Sequence, residues 1–133
     1  MSILEEKQYF SNGNVHIISY TKNGQDYNEN APAFIQYYPN GVVEFKFWKI
    51  SDMQYHNENG PAYQSFYSNG NVKREKWYCN GKLTRKYGPA DIQYFENGKP
   101  QLEVWYENFT AYRSRSYSET GELISDCVIE NLF

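Results

Sequence analysis

Aromatic rings recur along this chain at a fixed distance from glycine. Four residues before a turn glycine stand Tyr9, Tyr20, Tyr37, Phe66, Trp77, Tyr94 and Tyr117; Trp48 and Trp105 keep the register where the glycine is lost. The next residue is again aromatic at Phe10, Tyr38, Tyr67, Tyr78, Phe95 and Tyr106, while Thr21 and Lys49 fill that place elsewhere. Two residues after the first glycine of each unit come Val15, Val43, Val72 and Pro100. Successive residues of an extended strand point to opposite faces. Apolar rows are therefore expected on both faces of a sheet. The column of nine rings reads as a cross-strand ladder. No long helical period appears between Gln8 and Gly121.

The glycines set the period. The stretches "QYFSNG", "QYYPNG", "SFYSNG" and "QYFENG" end at Gly13, Gly41, Gly70 and Gly98, in steps of 28, 29 and 28 residues. A weaker copy, "SYSETG", ends at Gly121, 23 residues further on. Repetition at this period marks an array of supersecondary units. A second turn closes at Gly24 and Gly81, and its equivalents "WKISD" and "WYENF" lack the glycine. A third landmark is "ENAPA" at Glu29–Ala33, "ENGPA" at Glu58–Ala62 and "YGPA" at Tyr87–Ala90.

Asn-Gly between alternating residues predicts two-residue type I′ turns. Such turns would set Val15, Val43 and Val72 opposite the second aromatic row. Pro in the third landmark cannot donate to a ladder and marks an edge, a bulge or a loop. Each unit then reads as strand, tight turn, strand, turn, short strand and Gly-Pro-Ala loop, over about 8–35, 36–64, 65–92 and 93–121. The tail, 122–133, is expected to cap the array, either as a helix started by Ser125 or Asp126 or as a last strand.

Composition narrows the class. One domain is the expectation for 133 residues, with chain enough to bury a core. Tyr supplies 14 of the rings, and tyrosine suits half-wet surfaces. A mean hydropathy of -0.84 with 40% hydrophobic residues argues against a membrane span and against disorder. "MSILEEKQYF" shows no basic segment followed by an apolar run, so no signal peptide is expected. Cys79 and Cys127 lie far apart, which points to reduced thiols and a cytoplasmic setting.

Net charge is -3, which makes no case for a dedicated nucleic-acid binder. Positive charge is nevertheless concentrated. Lys73, Arg74, Lys76, Lys82, Arg85 and Lys86 stand against Glu75 alone. Rings interleaved with these cations could stack single-stranded bases.

Candidate chemistry is sparse. His16 and His56 fall in different columns and lack a Cys or carboxylate at metal-ligand spacing. No phosphate loop, nucleophile elbow or metalloprotease motif occurs. Glu44, Glu75 and Glu103 hold near-equivalent strand positions, which alternating polarity explains; a general-acid role toward a sugar is the other reading. No cofactor is expected.

The pattern "YYxNGxxxxxxxWYxNGK" resembles the MORN-variant repeats of bacterial antitoxin-like proteins, the YwqK family. The third landmark resembles a related repeat of phage, giant-virus and bacterial frames, Trp then Asn-Gly-Lys then His-Arg-x-Asp-Gly-Pro-Ala. Trp77, Asn80, Gly81, Lys82, Arg85, Gly88, Pro89 and Ala90 match it, with Thr84 at its His and Tyr87 at its Asp. The resemblance spans roughly Gln8 to Gly121. It implies an all-β fold, a row of antiparallel hairpins in one long twisted sheet, and a scaffold for contact rather than catalysis. The expected function is a non-enzymatic inhibitor, antitoxin or immunity-type protein that blocks another protein by surface contact. Its contact residues are expected to be Tyr38, Tyr67, Tyr78, Phe95 and Tyr106, with Lys73, Arg74, Lys82, Arg85 and Lys86 setting orientation. The alternative is an anion or nucleic-acid module on residues 73–86. A glycan-acting enzyme ranks last. A homo-oligomer is compatible with either binding reading.

Overall fold

The structure, a computed structural model, describes residues 2–51 and 54–129. Every regular element among them is a strand. The first repeat supplies β1 (Leu4–Tyr9), β2 (Val15–Lys22) and β3 (Gln25–Asp26). The second supplies β4 (Phe34–Tyr37), β5 (Val43–Phe47), β6 (Lys49–Ser51) and β7 (Gln54–Tyr55). The third supplies β8 (Tyr63–Phe66), β9 (Val72–Lys76), β10 (Tyr78–Cys79) and β11 (Lys82–Leu83). Then follow β12 (Asp91–Tyr94), β13 (Pro100–Glu107), β14 (Thr110–Tyr117) and β15 (Leu123–Val128). The main sheet runs in the order β1-β2-β4-β5-β8-β9-β12-β13-β14-β15, with β3 paired to the end of β2. All its pairings are antiparallel. The all-β expectation holds, and of the two forms open for the tail the strand is the one present. Leu123–Val128 forms β15 and pairs with β14; residues 130–133 lie outside the described residues.

The turns differ from the sequence expectation in one respect that matters. Gly13, Gly41, Gly70, Gly98 and Gly121 all have φ near 90°, but the residue before each does not have positive φ. Phe10 N–H donates to Asn14 O at 2.8 Å, and Gly13 N–H donates to Phe10 O at 3.0 Å. This is a three-residue loop, a type I turn followed by a left-handed glycine. Pro39 sits where a type I turn accepts proline, and it is the one residue that signals this geometry. The two-residue type I′ turns are the second ones: Asn23-Gly24, Asn80-Gly81 and Asn108-Phe109 have positive φ at both positions. The equivalent turn of the second repeat, around Asp52 and Met53, lies outside the described residues.

One residue more in the loop shifts each pairing by one and changes the face. Val15, Val43, Val72 and Pro100 pair with Tyr9, Tyr37, Phe66 and Tyr94, the first aromatic row and not the second. The four asparagines of the first turns gain two roles from the αR conformation. Their side-chain oxygens accept the N–H two residues on, at 2.9 to 3.0 Å. Their amides donate to the next turn: Asn12 to Pro39, Asn40 to Ser68, Asn69 to Glu96 and Asn97 to Glu119.

A thick core is not what holds this sheet. The buried apolar side chains among the described residues are Ala33, Ala62, Ala90 and Ile92. The three alanines end the Pro-Ala landmarks and are fully buried. Ala33, Ala62 and Ala90 donate N–H to Phe47, Lys76 and Val104, the strand ahead. They accept N–H from Tyr20, Trp48 and Trp77, the strand behind. Each alanine therefore links two strands through its backbone. The landmark read as a loop is a loop only up to proline; its alanine is the pivot of the junction.

The fourth repeat has no such landmark, and β13 passes into β14 through Asn108 and Phe109 directly. That missing excursion accounts for the shorter last step of the repeat.

Two stability outcomes follow. Ala62→Leu forces a large side chain into a filled space and should cost about 1–3 kcal/mol in urea unfolding. Phe109 has φ of 66°. Phe109→Gly removes a left-handed penalty and should raise stability by about 1 kcal/mol in the same measurement.

Candidate functional site

Cross-strand partners share a face, so the register sorts the side chains. Phe34 pairs with Phe47, Phe47 with Tyr63, Tyr63 with Lys76 and Lys76 with Asp91. These residues form one face, joined by Phe45. Phe34 stacks on Phe45 and Phe47 with centroids 5.7 and 5.1 Å away, and Phe45 stacks on Tyr63 at 6.3 Å. The second hairpins add Tyr55, edge-on to Phe47 at 5.7 Å, and Tyr78, 5.0 Å from Tyr55.

Cations finish this ring face. Lys49 Nζ lies 5.1 Å from the Phe47 ring and 4.8 Å from the Tyr55 ring. Lys76 Nζ lies 5.6 Å from Tyr63. Burial, and then Arg74 close by, lower the Lys76 ammonium below its ordinary pKa. Arg74 donates through Nε and Nη2 to the buried Asp91 carboxylate at 3.0 and 2.7 Å. A hollow of about 510 Å³ opens here, lined by Tyr38, Phe45, Tyr63, Tyr67, Lys73 and Arg74 with Gln36, Glu44, Gln93 and Gln101 among its polar walls.

The opposite face carries the nine-ring column, and charges rather than ring stacks bridge it. Lys46 Nζ sits 5.4 Å from Trp48 and 5.8 Å from Phe66. Arg85 lies 3.9 Å over Trp77, and Arg113 and Arg115 lie over Trp105. Tyr94 donates its hydroxyl to Glu75 at 2.7 Å, and Tyr117 donates to Glu103. Burial, reinforced by Glu75, raises the Tyr94 hydroxyl well above the ordinary tyrosine value. Glu44 does not follow Glu75 and Glu103; it accepts from Gln36 at 2.8 Å. Glu75 likewise accepts from Gln64, at 2.6 Å, so what sets Glu75 and Glu103 apart from Glu44 is the tyrosine hydroxyl that each accepts.

The ten residues singled out from sequence do not form one surface. Tyr38, Tyr67, Lys73 and Arg74 meet at the first hollow. Tyr38 and Tyr67 use their hydroxyls to brace the sheet, donating to Phe66 O and Tyr94 O at 2.7 Å. Tyr78, Arg85 and Lys86 line a second hollow of about 850 Å³ with His56, Trp77 and Tyr87. Phe95, Tyr106 and Lys82 line neither. Lys82 lies over Phe109, at 5.5 Å. Turn-glycine counting missed Phe34, Phe45, Phe47, Tyr55 and Tyr63. Counting from the landmark alanines finds two of them, since Phe34 and Tyr63 follow Ala33 and Ala62 directly.

Among the described residues no three His, Cys, Asp or Glu side chains gather as a metal site requires, and no helix is long and apolar enough to cross a membrane.

The molecule is thus an antiparallel repeat sheet with a ring-and-cation face. Residues 4–23 and 62–80, each a first strand, three-residue turn and second strand, match the MORN repeat variant family. No curated protein and no solved structure matches the chain.

Asp126 reports on the last strand. Arg113 and Arg115 donate to it, and their hydrogen bonds hold its carboxyl down to about 2. An unfolded aspartate titrates near ~3.9. The stabilisation is therefore complete above about pH 4 and is lost as pH falls toward 2. Asp126→Asn should flatten that part of the acid unfolding curve, followed by tyrosine fluorescence.

Proposed function

We propose that this chain is a non-enzymatic binding module that holds a partner protein on its ring face and blocks it, in the manner of an inhibitor, antitoxin or immunity protein of bacterial, phage or viral origin, acting in the cytoplasm. The observation that carries the reading is the ring face itself. Six rings and their cations stand half-buried on a sheet, where aromatic and guanidinium groups give contact area at low entropic cost. The two MORN-variant segments support a scaffold role. The contact set is revised from the sequence expectation. Phe45, Tyr63, Tyr55 and Tyr78 are the anchors, Lys73 and Lys76 set orientation and on-rate, and Tyr38 and Tyr67 brace the sheet from which the anchors project.

The second reading, an anion or nucleic-acid module, draws on Arg85 stacked over Trp77 beside Lys86 in the second hollow. Salt separates the two, because phosphate binding weakens steeply with ionic strength.

The test is affinity capture from a native host with the chain as bait, beside Phe45→Thr/Tyr63→Thr of matched thermal stability. A partner whose activity falls on adding the chain, and whose retention drops at least tenfold with the variant, is the expected result. Equal retention by both baits would place the contact elsewhere. Capture that vanishes both at raised salt and on nuclease treatment would favour the second reading.

A further inference from the structure

One boundary recurs inside the sheet and is left half-made at both ends. Every boundary between repeats pairs a second strand with the next first strand: β2 with β4, β5 with β8, β9 with β12 and β13 with β14. Corresponding partners are Ile18 and Ile35, Lys46 and Gln64, Glu75 and Ile92, Glu103 and Arg115. By register β15 is a second strand, with Asp126 opposite Arg115 as Glu103 is opposite Ile92. By the same register β1 is a first strand, with Lys7 opposite Ile18 as Ile92 is opposite Glu103. Among the described residues no strand pairs with the outer edge of either.

We propose that a second copy of this chain completes the boundary: β1 of one copy adds antiparallel to β15 of another, in the register of the internal junctions. That register sets Asp126 opposite Lys7, Cys127 opposite Glu6 and Ser125 opposite Gln8. The Asp126–Lys7 opposition repeats that of Glu103 and Arg115 across β13 and β14. Arg113 and Arg115 both lie against Asp126, so this end of the sheet has cationic charge to receive Glu5 as well. Exposed apolar side chains gather at the same two edges: Ile3, Leu4 and Tyr9 at one, Leu123, Ile124 and Val128 at the other. Open edges offer unpaired N–H and C=O groups to such strand addition. The contact joins two different surfaces, so copies assemble head to tail and not as a closed two-fold pair.

The intermolecular boundary is weaker than the internal ones. Ser118 and Thr120 stand where Tyr67 and Asn69 reach across to the next repeat. Glu5 stands where Ala33, Ala62 and Ala90 are buried. Assembly therefore depends on concentration, with monomers in dilute solution.

A thiol trap tests both the contact and its register. In a Cys79→Ser background, Glu6→Cys places a thiol opposite Cys127 of the neighbouring copy. Mild oxidation should give a disulfide-linked ladder of dimers, trimers and longer species, at least tenfold above the Cys79→Ser chain with Glu6 intact. Adding Cys127→Ser should remove it. Sedimentation of the unaltered chain should show mean mass rising with concentration. A monomer at every concentration would overturn the proposal. So would cross-linked dimers that survive Cys127→Ser, because these would pair β1 with β1.

Discussion

Three alanine backbones hold the strand spacing on which the other contacts depend. Ala33, Ala62 and Ala90 each give N–H to the strand ahead and take N–H from the strand behind. A sheet with few buried side chains has little side-chain packing to fix the separation of its repeats. The separation comes instead from a residue small enough to let two strands approach at one point. Ring stacking, the Arg74–Asp91 pair and the turn-to-turn asparagine bonds all depend on that spacing. Asp91 follows Ala90 directly, which is why its carboxylate is buried and fixed toward Arg74.

Both faces use rings with charges, but differently. On one, rings meet rings and cations lie at their margin. On the other, Lys46, Arg85, Arg113 and Arg115 lie against the ring column, and carboxylates take the tyrosine hydroxyls. The first arrangement leaves ring area for a partner. The second spends its polar groups within the chain. That asymmetry is why the Phe45–Tyr63 face is the one proposed for contact.

Fold class, the repeated hairpin and its landmarks were legible because turn chemistry is local. Glycines with φ near 90° and type I′ Asn-Gly pairs leave marks in a single window. Face assignment was not legible in the same way. It turned on whether each first loop holds two or three residues, and Asn-Gly suits both. Pro39 alone argued for the longer loop. Phe34 and Tyr63 were hidden because the turn glycines do not set their phase; the alanine directly before each does. Arg74 was legible as a cation but not as the partner of a buried acid, since Asp91 stands 17 residues on, on β12 rather than β9. Tyr38 and Tyr67 looked like free contact residues because the carbonyls they reach lie 28 and 27 residues away.

The direct turn between β13 and β14 has a kinetic side. At the other three boundaries a second strand meets its partner only after a hairpin and a Pro-Ala bend have been ordered. At this one, two residues suffice. Loop closure costs less conformational entropy as the loop shortens. The boundary that is cheapest to form is thus also the one synthesised after the other three.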